Sequence, residues 1–408
     1  MKLLVLVARG LQASLVGTYG NHWVMTPALD ALAARGILFD SCYADADARR
    51  SWRTGRLNAS APGDLLALLR AADVPTMLVH DVSRPLPEHS LQGWSATVEV
   101  DPTADEDPLE LALQGTEELL EAMREEANAL VWVDLPTALP PWNIPPDFVA
   151  PYFEDTFIDE EIAEEDEEDE EDDVIVQEEA PELFEDDEPP PVFMPQPTGD
   201  RLAANDDHQY LSLRCSYAAA VSYLDAGIGH LLEALDRIDP EQEIAVVFTS
   251  DRGFPLGEHG TIGTVGAGPH EELLHVPLIV RLPKHARAGR REPGLCQSID
   301  LAVTLANLFG VMLPEPHGRD LLSSEAPETL LCTSGDRHAL RTEEWSYVTQ
   351  PGELGKLYRQ PDDAWETNDV RHHHQELAEH FERIVAAMVA AIEQPGPLVR
   401  PDLAEPEA

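Results

Sequence analysis

Basic residues are scarce in this sequence: 27 lysines and arginines stand against 77 aspartates and glutamates, a net charge of −50. A surface so anionic repels phosphate backbones, which excludes nucleic acid as an expected partner. Cysteine is equally thin. Cys42, Cys215, Cys296 and Cys332 lie far apart and form no C-x-x-C pair, so neither a disulfide framework nor a zinc spacing is present, and free thiols in a reducing compartment are expected. Long apolar runs are missing too. No segment approaches the ~18 unbroken apolar residues of a membrane span. The opening MKLLVLVARG has an apolar run of about six residues, short of a signal-peptide core, and no small-x-small site follows. A buried first strand explains it better, and the expectation is a cytoplasmic protein without a membrane span. What is present is 408 residues with 43% apolar content, enough for one large core or one large domain plus a small one.

Strand-like and helix-like segments alternate along most of the chain. Leu3 to Val7 reads as a buried strand. TPALDALAARG follows, with Thr26 as helix N-cap, Pro27 at the first helical position and Gly36 as the stop. DLLALLRAAD is a second helix, TMLVH from Thr76 a second strand, and LVWVD a third, ending at Asp134. From Leu213 to Leu235 the apolar residues step by three or four, the period of one helical face. IAVVFTS from Ile244 and HVPLIVRLP from His275 supply further strands. This rhythm predicts an α/β fold: a mixed, mainly parallel sheet sandwiched by helices.

Two regions break the rhythm. Around Glu154 to Pro191 carboxylates crowd together and a proline run follows; self-repulsion and low hydrophobicity predict a largely disordered insert, either a solubilising loop or a docking segment for a basic protein partner. Near the C-terminus, ALRTEEWSYVTQ and GKLYRQPDD read as strands and Gln375 to Glu393 as a helix, a small sheet-plus-helix subdomain. The expected division is 1–150 and 208–330 as two parts of one α/β domain, 151–207 as the acidic insert, 331–394 as the subdomain and 395–408 as a flexible tail.

Several stretches taken in order resemble the sulfatase family of the alkaline phosphatase superfamily: GTYGN with TPALDALAARGILF, YAAAVSYLDAGIGHLL, FTSDRGFPLGEHG, EELLHVPLIVRLP, SIDLAVTLANLFGVMLPEPHGRDLL, and ALRTEEWSYV with KLYRQPDDAWETNDV. The resemblance implies an alkaline phosphatase-like fold with a small C-terminal α+β subdomain. It also implies sulfate-ester hydrolysis by a formylglycine made in a C/S-x-P-x-R motif, against a calcium-type divalent cation held by acidic and amide side chains.

The residues at the matching positions depart from that pattern. Arg9 and Gly10 stand where the family has adjacent aspartates, and Arg49 stands at the nucleophile; Ser51 replaces the motif's proline, and only Arg53 agrees. Asp81 and Ser83 replace the sulfate-binding lysine and histidine. DLPTALPPW lacks the histidine of the P-H-x-P-like loop, and Thr264 occupies a lysine position. Asp251 is the one retained metal ligand, and beside it Arg252 replaces asparagine or histidine. His259 remains in GEHG and is expected to order its loop through hydrogen bonds. One carboxylate cannot hold a hard cation against water, so no cofactor is expected, and an arginine from Arg9, Arg49 or Arg252 is expected to neutralise Asp251.

Two readings follow. In the first, the chain is a non-hydrolytic pseudoenzyme acting in binding or scaffolding, its remnant pocket of Arg9, Gly10, Arg49, Arg50, Arg53, Asp251, Arg252 and His259 holding a sulfate- or phosphate-type anion. In the alternative it is an active ester hydrolase using a displaced nucleophile, Ser51 or Thr54, or a metal held elsewhere, with His259, His270, Glu271, Glu272 and His275 as the nearest ligand types. His372 to His374 are read as a solvated helix start, since adjacent helical residues diverge.

Overall fold

In the computed structural model, residues 1–401 are described apart from 46, 59–62, 103–105, 155–189, 198, 202–205 and 324. The acidic run of the expected insert therefore lies outside the described residues. Its flanks do not: Tyr152 is buried, and Phe193 and Met194 pack against the main core, so these flanks belong to the folded body.

The main sheet contains β1 (Lys2–Ala8), β2 (Ile37–Tyr43), β3 (Thr76–Asp81), β4 (Ala96–Val100), β5 (Ala129–Leu135), β6 (Ile244–Thr249), β7 (Leu278–Arg281) and β8 (Arg290–Gln297) in the order β4-β3-β5-β1-β6-β7-β2-β8. All neighbours pair in parallel except β7, which runs antiparallel to both β6 and β2. A second sheet of β9 (Leu330–Ser334), β10 (Arg337–Arg341), β11 (Trp345–Thr349) and β12 (Lys356–Arg359) is wholly antiparallel, in the order β12-β11-β10-β9.

Alternation along β1 explains the layering. Successive side chains of a strand point to opposite faces. Leu4, Leu6 and Ala8 pack under the helices Pro27–Ala34, Pro108–Met123 and Asp207–Ile238. Leu3, Val5 and Val7 pack under Ala48–Thr54, Leu65–Ala71 and Ser298–Leu308. All six are fully buried, which is why the strand carries no polar alternation. Helix Gln375–Ile392 covers the second sheet through Phe381, Ile384 and Met388. All four cysteines are free and buried, and no helix among the described residues is long and apolar enough to cross a membrane.

Thr26 is at the predicted N-cap position but makes no side-chain cap; its Oγ1 accepts from Gly17 N at 2.8 Å. The helix start is capped by Asp225 of the long helix, which accepts from Ala28 N at 2.9 Å and Leu29 N at 2.8 Å. Desolvation pushes this carboxyl up to about 6, against the pull of the two backbone N–H groups.

Candidate functional site

The C-terminal ends of β1, β5 and β6 lie side by side, because β1 pairs with β5 on one flank and β6 on the other. In parallel α/β sheets this edge is where ligands are bound. Each strand delivers polar groups there: Arg9 and Gly10 follow β1, Asp134 lies in β5, and Ser250 and Asp251 follow β6. Gly10 has a left-handed φ of 80°, open to glycine at little cost. This turns its N–H toward Asp251 Oδ1, 3.3 Å away, while its carbonyl accepts from the Tyr217 hydroxyl.

Arg49 enters from the other side. Asp47 caps its short helix by accepting from Arg50 N, so the first turn points Arg49 into the edge. Arg49 Nη2 bonds Asp134 Oδ1 and lies 3.4 Å from Asp251 Oδ2; Arg9 Nη1 lies 3.5 Å from Asp134 Oδ2. Two guanidinium groups thus oppose two carboxylates. Burial works against the charge of Arg49, but Asp134 and Asp251 together outweigh it and hold its pKa above the ordinary value. Burial dominates at Asp134, whose carboxyl sits above the usual range although Arg49 and Arg9 pull it down.

The expectation that Asp251 is the lone acid of the site is thus corrected by Asp134. Its signal was present in the sequence as an acid closing a buried apolar strand. Arg53, which lines a cavity with Arg49, pairs with Asp64 and donates to the carbonyls of His89 and Gln92. Arg50 pairs with Asp47 at 3.3 Å. Arg252 and Thr264 line a neighbouring cavity of ≈ 120 Å³ with Asp45, Thr333 and Ser334. Asp45 is buried there, and desolvation pushes its carboxyl up to about 8, outweighing the Ser51 and Gln297 contacts that lower it. Gln297 donates to Asp45 Oδ1 at 2.7 Å.

A calcium-type cation does not fit the edge. Such an ion needs several anionic or neutral oxygens converging at short range, whereas both carboxylates here already face guanidinium nitrogens, and glycine supplies no side chain at the tenth position. Above the cluster, Leu139 blocks Gly10 so closely that an added Cβ would stand 2.5 Å from its Cδ2. Trp142, Tyr217 and Phe254 pack against one another behind it, with ring centroids about 6 Å apart.

His259 is not part of this cluster. It stacks on His270 at 3.7 Å with planes 9° apart, and His270 Nδ1 lies 2.6 Å from Glu366 Oε2. His259, His270 and Glu366 bring donor atoms within 4.8 Å of one another. Their geometry is a hydrogen-bond network and not an ion cage. Parallel rings aim their in-plane lone pairs side by side, while a tetrahedral ion needs them to converge. Both His259 nitrogens are engaged, at Glu272 and at the Glu366 carbonyl, and Glu366 also takes Arg341 and Ser346. The metal-ligand reading of His259, His270 and Glu272 is set aside on that ground. His372 and His373 lie in an exposed 3₁₀ turn before the last helix, with His374 exposed at its N-cap.

Together, a mainly parallel sheet with one antiparallel strand, helices on both faces and a separate C-terminal antiparallel sheet define the alkaline phosphatase-like fold of the sulfatases. The phosphonate monoester hydrolase of Agrobacterium radiobacter superposes with a TM-score of 0.69 at 16% identity, covering 96% of this chain and 95% of that one. BT4656 in complex with its substrate D-glucosamine-2-N,6-O-disulfate gives 0.70 at 16%, covering 96% and 98%. The family model described as Sulfatase matches residues 145–311 of this chain. Among curated relatives, N-acetylglucosamine-6-O-sulfatase of Bacteroides thetaiotaomicron is 36% identical over 106 residues, 26% of this chain and 19% of that protein. Human iduronate 2-sulfatase is 32% identical over 126 residues, 25% of this chain and 22% of that protein. The matches span about a fifth of the length of these relatives.

Proposed function

We propose that this chain is a non-hydrolytic pseudoenzyme of the sulfatase family with a binding or scaffolding role. The observation that carries the reading is the Arg9–Asp134–Arg49–Asp251 cluster. Where ester cleavage needs a cation to neutralise the ester oxygens and acidify a nucleophile, guanidinium groups already neutralise both carboxylates. Ser51, the displaced-nucleophile alternative, is buried and directs its hydroxyl to the Arg56 carbonyl at 3.4 Å. Thr54 donates to the Arg50 carbonyl at 3.0 Å. A reducing, cytoplasmic setting belongs to the same reading, supported by four buried thiols that form no disulfide. Aryl sulfate and aryl phosphate, offered with calcium, magnesium, manganese or zinc, are expected to give no turnover above heat-killed protein; turnover abolished by EDTA would overturn the reading.

Anion binding, on this view, belongs to the neighbouring cavity, which Asp45 also lines. There Arg252 stands with the hydroxyl residues Thr264, Thr333 and Ser334, groups that suit a tetrahedral oxyanion without a metal. Inorganic sulfate at tens of millimolar is expected to raise the melting temperature by a few degrees, the size of a linkage effect well above Kd, and Arg252→Ala is expected to lose that shift. An equal shift in the variant would sink the assignment to this cavity.

A further inference from the structure

Among the described residues, two histidines have an acceptor on each ring nitrogen. His259 Nδ1 lies 2.9 Å from Glu272 Oε1, and its Nε2 lies 3.1 Å from the Glu366 main-chain oxygen. His275 Nδ1 lies 2.7 Å from Glu271 Oε1, and its Nε2 lies 2.8 Å from the Asp40 main-chain oxygen. A carbonyl only accepts, as does an ionised carboxylate, and a neutral imidazole carries one N–H. Both contacts of each ring are therefore satisfied only by the imidazolium form. Burial opposes that charge at both rings, yet the glutamates outweigh it and hold the two pKa values above the ordinary histidine value.

The rings stand at opposite ends of one continuous set of contacts. It runs from the Asp40 carbonyl through His275 and Glu271 to Arg341, on to Glu366, and back through His259 to Glu272. Arg341 lies on β10, Ser346 on β11, and Glu366 beyond β12; the other members belong to the main body. His259, His275 and Arg341 oppose Glu271, Glu272 and Glu366, and His270, stacked on His259, makes a further contact to Glu366 at 2.6 Å. The paired contacts of His259 and His275 hold only while both of these imidazoles keep two protons.

We propose that this network is a proton-dependent latch, clasping the C-terminal antiparallel sheet to the main body and releasing it as pH rises. The network is surrounded by His270, which contacts Glu366 and His259, and by phenol, thiol and carboxyl groups. Arg341 stacks over Tyr43, and His275 lies against Tyr43 and Tyr19. Burial pushes both phenols, and Tyr358 facing His270, above the ordinary tyrosine value, so they stay neutral through the range. Cys332 is raised by burial in the same way, and Arg341 is held above its ordinary value. Burial and Glu272 raise the Glu258 carboxyl. Desolvation disfavours the charge of Glu366, but Arg341 and His270 more than offset it and bring that carboxyl down to about 2. The sign follows: a raised histidine pKa gives stabilisation that is complete below about 6.5 and is lost as pH climbs through the folded-state value.

Hydrogen–deuterium exchange of the full chain at pH 6 and pH 9, corrected for intrinsic rates, reads the latch locally. Amides of β9 to β12 are expected to lose protection by roughly tenfold for each pKa unit of upward shift, while β1 and β5 keep theirs. In His275→Arg, a permanent cation, the loss at pH 9 is expected to shrink; in His259→Gln, protection at pH 6 is expected to fall toward the pH 9 level. Equal protection of β9 to β12 at both pH values in the parent protein would overturn the latch, as would an unchanged pH response in His275→Arg, which tests it even if His259→Gln fails to fold. Added zinc is expected to change nothing; restored protection of these amides by zinc at pH 9 would replace the latch with a metal site.

Discussion

Replacing Arg49 by methionine is expected to destabilise the protein by about 3–5 kcal/mol at pH 7.5, the size found when one partner of a buried ion pair is deleted. The side chain is nearly inaccessible and serves two carboxylates at once. Without it, Asp134 keeps only the 3.5 Å contact to Arg9, and Asp251 keeps the Gly10 N–H at 3.3 Å. Two features separate this from ordinary loss of packing. Burial already lifts the Asp134 carboxyl above its unfolded-state range, and removing Arg49 lifts it further. A carboxyl with a raised folded-state pKa takes up a proton more readily in the folded state, so its penalty grows as pH rises from the unfolded value and fades as pH falls. Denaturant titrations are therefore expected to show a smaller deficit at pH 5 than at pH 8. The second feature is rescue: Arg49→Met with Asp134→Asn removes the orphaned charge, and about half of the loss is expected to return. A deficit of under about 1 kcal/mol in the single variant, or a deficit indifferent to pH, would mean the cluster is not an ion pair holding the sheet edge together.

The sequence carried the strands of this edge but not all of its chemistry. β1, β5 and β6 are legible because strands buried on both faces read as unbroken apolar runs. The long helix Asp207–Ile238 shows its 3.6-residue period, and its predicted core from Leu213 to Leu235 falls inside the observed bounds. The reversed direction of β7 was not legible, since LIVR has the same apolar character whichever way it runs. Arg9 and Arg49 could be placed at the site because each stands at a fixed offset in a recognisable stretch. Arg53 sits on the same short helix as Arg49, but its partners Asp64, His89 and Gln92 come from elements whose approach no local pattern records. Asp134 was visible as the polar end of a buried strand, the position at which parallel sheets place ligand-facing groups, yet only the pairing of β5 with β1 showed that it meets Arg9 and Arg49. The Thr26 cap failed for the same reason: a tertiary acceptor, Asp225, displaced a local one.

Glu366→Ala is expected to be as damaging, about 3–5 kcal/mol, because it leaves the fully buried Arg341 with Glu271, 3.2 Å away, as its remaining carboxylate. Glu366 also accepts from Ser346 and bonds His270, so its loss strands a hydroxyl and an imidazole as well. All three partners converge on one carboxylate between the two sheets, and the damage is expected to be local before it is global. β9 to β12 with the helix Gln375–Ile392 should unfold in a separate, earlier transition, visible as a first step in urea, while the main sheet melts near its parent midpoint. The parent protein gives the matching acid signature. A carboxyl lowered to about 2 contributes stability in full above its unfolded value near 4.5 and loses it as pH falls through 2, so this part of the molecule should resist acid until well below pH 4. Glu366→Gln keeps the shape and removes the charge: it should retain the Ser346 contact, lose the acid resistance and still release the sheet early. A single cooperative transition in both variants, at the parent midpoint, would show that the two sheets are joined by apolar contacts and that the Arg341–Glu366 pair contributes nothing to their union.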